Sequence, residues 1–265
     1  MLSIRQPDRM IPYKRAHEVT LNLHIFEPSA ASRTGSAIVF FFGGGWNGGT
    51  PAQFYPQASC LSDRGMWVAC AEYRVHSRHH TDPRAALADA KSAMRWVRAH
   101  ARELNIDSHR IAAGGGSAGG HLAAATAFCP GFSDEPENDA ADCRPDALVL
   151  YNPVIDNSRE GYGYDRVKPY WQDFSPLHNI RNNPPPTLFM LGTRDHLIPV
   201  STGAKFCEAI SRHGGLAIFK TYSDAPHGFF NLKDDHNPFF DQTMNDVIDF
   251  LEKIEFLNND IKTTT

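Results

Sequence analysis

The sequence predicts an α/β fold, a mostly parallel central sheet with helices on both faces, and three observations carry that reading. Short runs that are apolar at every position recur along the chain, as expected of strands buried on both sides in a parallel sheet. Stretches with helical spacing of apolar residues separate them, and alternation of strand and helix implies parallel pairing. Glycine-rich or aspartate-bearing loops follow several of these runs, where an open α/β sheet gathers its functional groups. At 265 residues, 42% hydrophobic and 21% charged, the chain can bury one ample core.

The first strand candidate starts at Leu21 and covers 21–27. The second, 37–42, is continuously apolar through Ile38, Val39, Phe40 and Phe41, and ends in the glycine-rich loop 43–49. A third strand is read at 66–71. Asp82 then caps a helix with Pro83 at its first position. Leu87, Ala90, Met94, Val97, Ala101 and Leu104 recur along that helix as its buried face. Ile111, Ala112 and Ala113 form a short strand, and the alanine-rich segment 121–128 beyond it favours helix. Strands follow at 147–151, 187–192 and 217–222, and an amphipathic helix at 241–257. From Lys262 the chain is expected to fray. One segment breaks the alternation. Residues 152–186 are long, aromatic and proline-rich, holding Tyr162, Tyr164, Tyr170, Trp171 and Phe174. Loops of this length in compact domains are functional segments or lids. With no repeat, low-complexity stretch or linker, 1–265 reads as a single domain.

Gly115, Gly116, Ser117, Ala118 and Gly119 fit G-x-S-x-G. A serine that attacks a carbonyl must stand clear of its backbone on a tight strand-to-helix turn, and flanking glycines leave room where strand and helix nearly touch. Ser117 would then sit at a helix N-terminus, where partial positive charge favours a developing anion. Glycines 43–45 after a buried strand let backbone N–H groups turn inward, which suits an oxyanion hole. No Lys-Ser or Lys-Thr follows them, so a phosphate-binding loop of that kind is excluded. Asp195 follows the 187–192 strand, and His227 lies in a loop bracketed by Pro226 and Gly228 after the 217–222 strand. Singly, Asp195 reads as a turn residue and His227 as an ordinary loop histidine. Together, in the order Ser, Asp, His and each behind its own strand, they form a candidate catalytic triad. Trp46 and Asn47, beside the glycine loop, are expected to line the substrate pocket. Tyr162, Tyr164 and Trp171 are candidates to stack on a sugar or a phenolic acyl group, or else to form a small satellite core.

These motifs give the chain a resemblance to α/β-hydrolases of the hormone-sensitive-lipase-like and bifunctional feruloyl/acetylxylan-esterase-like groups. Its markers are the glycines before Trp46, Glu72-Tyr73-Arg74-Val75, Asp107 to Ile111, the Ser117 elbow through Leu122, Gly192 to Asp195, and Pro226 to Phe229. It spans nearly the whole chain. The resemblance implies an α/β-hydrolase fold with a small cap at 152–186. It also implies oxyanion donors at the backbone N–H groups of Gly44, Gly45 and Ala118. The activity it implies is that of a serine carboxylesterase for short acyl groups, acting on acetylated or feruloylated carbohydrate. Two departures stand out. The groups usually carry His where Phe42 stands, and the strand at 21–27 begins too early for the large N-terminal cap of the lipase-like members. Two other classes remain: a peptidase of the prolyl-oligopeptidase type, which normally needs a gating domain, and a non-catalytic binding protein on the same fold.

A formal charge of −4 argues against nucleic acid and anionic membrane as partners. No run approaches a membrane span, and the first residues have no signal-peptide apolar core. A cytoplasmic enzyme is the default, secreted or periplasmic if a leader has been removed. Oligomeric state stays open, a homodimer included. The chemistry requires no cofactor or metal. Five scattered cysteines fit reduced thiols, although Cys129 and Cys143 flank an acidic loop that a disulfide could clip. His76, His79, His80 and Asp82 cluster locally, but read better as solvated loop residues with Arg74 and Asp82 in local pairs. His121, one helical turn beyond Ser117, is assigned to packing.

Overall fold

The protein is described from a computed structural model covering residues 4–134, 141–232 and 237–258. The fraying expected from Lys262 lies outside the described residues. Strands β1 (Arg9–Ala16), β2 (Val19–Phe26) and β3 (Ala37–Phe41) are followed by α1 (Tyr55–Asp63), β4 (Trp67–Ala71), α2 (His76–His79) and α3 (Pro83–Ala99). Then come β5 (Ile111–Gly116), α4 (Ala118–Phe128), β6 (Ala147–Tyr151), α5 (Tyr164–Val167) and α6 (Trp171–Phe174). Strand β7 (Thr187–Gly192), α7 (Val200–Arg212), β8 (Ala217–Tyr222) and α8 (Pro238–Lys253) complete the order.

The eight strands form one sheet in the order β1-β2-β4-β3-β5-β6-β7-β8. The β1–β2 and β2–β4 pairs are antiparallel, and all pairs from β4 to β8 are parallel. This is the α/β-hydrolase architecture. The apolar runs are explained by burial on two sides. In β3, Ala37, Val39 and Phe41 join the core beneath α3, α4 and α7, whereas Ile38 and Phe40 face the core beneath α1 and α8.

Several elements depart from the sequence expectation, α8 among them, which starts at Pro238 and ends at Lys253. Strand β1 is an additional edge strand, hidden in the sequence because it carries Pro12 and charged residues and leaves half of its residues exposed. Its register breaks between Pro12 and Lys14. Helices α1 and α7 were also unmarked: α1 is short with Pro56 as its second residue, and α7 is half exposed. Helix α3 has its Asp82 cap, the carboxylate accepting from the Arg84 amide at 2.9 Å, but ends at Ala99. Ala101 and Leu104 are buried from the turns beyond it.

Candidate active site

Three chain crossings meet at the C-terminal ends of the parallel strands. Ser117 stands between β5 and α4 with φ 54° and ψ −119°, a sparsely populated conformation for a residue with a side chain. Its backbone is locked there. The Ser117 amide donates to the Tyr151 carbonyl at 3.0 Å, and its own carbonyl accepts from Val154 at 3.0 Å and from His121 at 3.0 Å. The flanking glycines are steric necessities. A Cβ at Gly119 would lie 2.0 Å from the Phe41 carbonyl oxygen, and one at Gly115 would lie 2.5 Å from the Gly119 backbone.

From this turn Ser117 Oγ reaches His227 Nε2 at 2.9 Å. On the far side of the imidazole, Nδ1 donates to Asp195 Oδ2 at 2.7 Å. The Asp195 side chain is fully buried, and its other oxygen accepts from the amides of Leu197 at 2.9 Å and Ile198 at 3.0 Å. Burial pushes the Asp195 carboxyl upward. The His227 hydrogen bond, the two amides and the imidazole charge outweigh it and hold the group below the ordinary carboxylate range. Asn152, at the end of β6, was not singled out in the sequence. Its side-chain oxygen accepts from the Gly228 amide at 3.1 Å, and its nitrogen stands 3.3 Å from His227 Nε2.

The glycine loop after β3 closes the opposite wall. Gly44 accepts from the amides of Asn47 and Gly48 at 3.0 and 3.1 Å, making a tight turn with Gly44 at φ 127° and Gly45 at φ 63°. Gln53 anchors the loop by accepting from the Gly43 amide at 2.6 Å. Phe42, where the resemblance leads one to expect His, stacks on Tyr73 with centroids 4.0 Å apart, and the Tyr73 hydroxyl donates to the Phe42 carbonyl at 2.6 Å. Ala118 is the first residue of α4, so its N–H has no acceptor within the helix.

Between these walls lies a cleft of about 510 Å³ bordered by Gly44, Gly45, Asn47, Ser117, Tyr162 and His227. Gln53, Asn152, Arg166, Leu197, Phe230 and Asn231 also border it and were not anticipated. Arg166 carries no motif, and only its place beside Tyr162 in the aromatic segment could have drawn notice.

The BD-FAE family matches residues 23–159, more than half of the chain, and that stretch contains the glycine loop and the Ser117 elbow. The chain belongs to the BD-FAE family. The prolyl oligopeptidase family matches 146–254, the part of this BD-FAE member that carries Asp195 and His227. Among curated relatives, Esterase LipC of Mycobacterium tuberculosis is 33% identical over 217 residues, covering 72% of this chain and 52% of LipC. An acetylxylan esterase of Xylanibacter ruminicola is 26% identical over 211 residues, covering 74% of this chain and 41% of the relative. The chain thus spans about half the length of the curated relatives it matches. A thermophilic esterase of Thermogutta terrifontis with butyrate bound superposes with a TM-score of 0.89 at 39% identity, covering 95% of both chains. The same esterase phosphonylated by cyclosarin gives 0.90 at 40% identity, covering 96% of this chain and 97% of that one.

Not every expected pocket residue of this BD-FAE member reaches the cleft. Asn47 and Tyr162 border it, but Trp46, Tyr164 and Trp171 do not. Trp46 is 2% exposed and packs edge-on against His121 and Phe174, with centroids 5.1 and 5.8 Å away. Trp171 packs on His178, and Tyr164 lies against Trp171. Trp46 and Phe174 belong to the main core beneath α3, α4 and α7, and Trp171 packs against its edge, so these aromatics form no separate satellite core. All five cysteines are free, the Cys129 and Cys143 thiols facing the carbonyls of Phe174 and Thr126. Arg74 is a correction: it pairs with Asp89 and Asp134 rather than within its own loop. His79 accepts from the Val75 amide, and Asp82 pairs with Arg84. Among the described residues no three His, Cys, Asp or Glu side chains converge as metal ligands, and no helix is long and apolar enough to cross a membrane.

His121 has the packing role expected, with a thermodynamic consequence. It is fully buried, and its Nε2–H donates to the Phe174 carbonyl at 2.8 Å. Burial pushes its imidazole down to about 4, against smaller upward contributions from Phe174 and Asn157. The unfolded chain takes up this proton near pH 6.5, about 2.5 units earlier. The neutral ring therefore contributes stability that is fully present above about pH 6.5 and is lost as pH falls toward 4, roughly 3 kcal/mol in all. Urea midpoints between pH 7 and 4 are expected to fall more steeply in the wild type than in His121→Gln. Parallel curves would show that His121 is not the group responsible.

Proposed function

We propose that this chain is a serine carboxylesterase that cleaves short-chain acyl esters through an acyl-serine intermediate. The observation that carries the proposal is the continuous hydrogen-bonded chain Ser117 Oγ–His227–Asp195, opening on a cleft of the size that small ligands occupy. In this reading His227 Nε2 takes the Ser117 proton as Oγ attacks the ester carbonyl. Asp195, kept ionised against its burial by the His227 hydrogen bond and its two amides, holds the Nδ1–H tautomer and stabilises the imidazolium. The N–H groups of Gly44, Gly45 and Ala118 receive the oxyanion, each worth roughly 3 kcal/mol to the transition state. His227 returns the proton to the leaving alcohol, then activates a water that releases the acid and restores Ser117. The 152–186 segment serves as a cap, contributing Tyr162 and Arg166 to the cleft. Acetylated or feruloylated carbohydrate is the substrate class toward which the acetylxylan-esterase relative leans. The prolyl-oligopeptidase match favours amide cleavage as a second reading.

The test pairs turnover with labelling. p-Nitrophenyl acetate, butyrate and octanoate are compared with Gly-Pro-p-nitroanilide. In parallel, a fluorophosphonate is allowed to react and the labelled peptide is located by mass spectrometry. Hydrolysis of acetate or butyrate with the adduct on Ser117 is the expected result. Turnover of the anilide alone would favour the peptidase, and neither turnover nor adduct would leave a binding protein.

A further inference from the structure

Arg166 is the one fixed charge besides the His227–Asp195 couple on the cleft wall: among the described residues bordering the cleft, none is Asp, Glu or Lys. Its guanidinium is held in place although the side chain is exposed. One nitrogen, Nη1, donates to the Gly45 carbonyl at 2.5 Å. The guanidinium carbon lies 5.4 Å from the Trp46 ring centroid and 5.2 Å from that of Tyr162. No carboxylate among the described residues lies within ion-pair distance of it, so donors remain for another acceptor. Gly45, Asn47 and Arg166 also border a second, smaller cavity of about 240 Å³, lined further by Trp46 and Thr81, so these three residues stand between the two. Trp46 and Thr81 each carry a buried polar atom, Trp46 Nε1 and Thr81 Oγ1, with no partner among the described residues. The indole N–H can only donate. The cavity does hold one acid, Asp82, but it is bound to Arg84 at 2.5 Å. The chain as a whole is negative, but the cleft that Ser117 borders carries this one arginine and no lysine, aspartate or glutamate on its wall.

We infer that Arg166 selects esters bearing a carboxylate, binding it through the guanidinium at the junction of the cleft and the side cavity. This rests on the ester-hydrolase reading of the same site. A preorganised guanidinium recognises a carboxylate by charge and by its planar fork, and a lysine at the same place supplies only the charge. The carboxylate can belong to the acyl half, as in a half-ester of a dicarboxylic acid, or to the alcohol half, as in an acylated hydroxy acid.

Two matched pairs test this and separate the sources. Monoethyl succinate is compared with ethyl succinamate for the acyl half, and 4-acetoxybenzoate with 4-acetoxybenzamide for the alcohol half. The expected result is a kcat/KM at least tenfold higher for the acid than for its amide in one of the pairs, at low ionic strength. Which pair shows it assigns the half. Arg166→Gln brings that ratio close to one, Arg166→Lys keeps part of it, and 0.5 M salt compresses it in the wild type. The ratio cancels any effect of the substitution on the Gly45 loop, because both members of a pair need that loop equally. Ratios near one in both wild-type pairs, or a ratio that survives Arg166→Gln, would overturn the inference while leaving the hydrolase reading standing. No turnover of any of the four esters would overturn the hydrolase reading, and this inference with it.

Discussion

Alanine at Ser117 is expected to lower turnover of a short ester by about 10⁶-fold, and asparagine at Asp195 by about 10⁴-fold, with the fold intact in both. The difference follows from the hydrogen bonds. Removing Ser117 Oγ removes the atom that forms the acyl bond. Removing the Asp195 charge leaves an oxygen able to accept from Leu197 and Ile198, so the loop after β7 keeps its shape. The new amide nitrogen, however, faces His227 Nδ1, where the aspartate oxygen stood 2.7 Å away. Two donors cannot share that contact. The imidazole must then present a bare Nδ1 and carry its proton on Nε2, aimed at Ser117, and cannot take the serine proton. Single-turnover kinetics with circular dichroism would check both variants. An Asp195→Asn enzyme within tenfold of wild type would remove Asp195 from the role proposed for it. The Asp195 shift also has a sign. A carboxyl whose folded pKa is depressed contributes stability above its unfolded value, near 3.9, and that contribution is lost as pH falls further.

The second large effect concerns backbone geometry. Gly119→Ala is expected to destabilise the protein by about 4 kcal/mol or more, the range of severe packing failures. Its Cβ would come within 2.0 Å of the Phe41 carbonyl oxygen and 2.3 Å of the Phe42 one, and neither can move without opening β3 or the glycine loop. Gly214→Ala provides the contrast. That position has φ 83° but nothing within 4 Å of an added Cβ, so only conformational strain of about 1 kcal/mol is expected. Urea denaturation midpoints of the two variants should differ widely. Equal midpoints would mean that strand β3 and helix α4 can separate, and that the close approach at Gly119 is not a constraint.

Much of this molecule was legible from its sequence because burial leaves a one-dimensional trace. Runs such as Ile38 to Phe41 face apolar cores on both sides and have no polar position to disguise them. The elbow was legible because the approach of β5 to α4 admits glycine alone. What escaped notice did so for equally physical reasons. Strand β1 sits at the sheet edge, where one side is wet and Pro12 is tolerated, so its composition resembles a loop. Asn152 and Arg166 reach the cleft from segments with no periodic pattern, and only the tertiary path brings them there. Trp46 was misplaced because proximity along the chain to the glycine loop said nothing of direction. Its indole packs edge-on against His121, in the core rather than on the cleft wall.

The site draws on loops after β3, β5, β7 and β8, and the contact between Ser117 and His227 joins residues 110 positions apart. The first half of the chain supplies Ser117 and the glycine loop, and the second supplies Asp195 and His227. Contacts of such long range close late, after local helices have formed, because the entropy of the intervening chain must be overcome first. On that order Ser117 lacks the partner proposed as its base until late in folding. Its histidine arrives only when the far edge of the sheet has docked, so chemistry at Ser117 is itself a signal that assembly is finished.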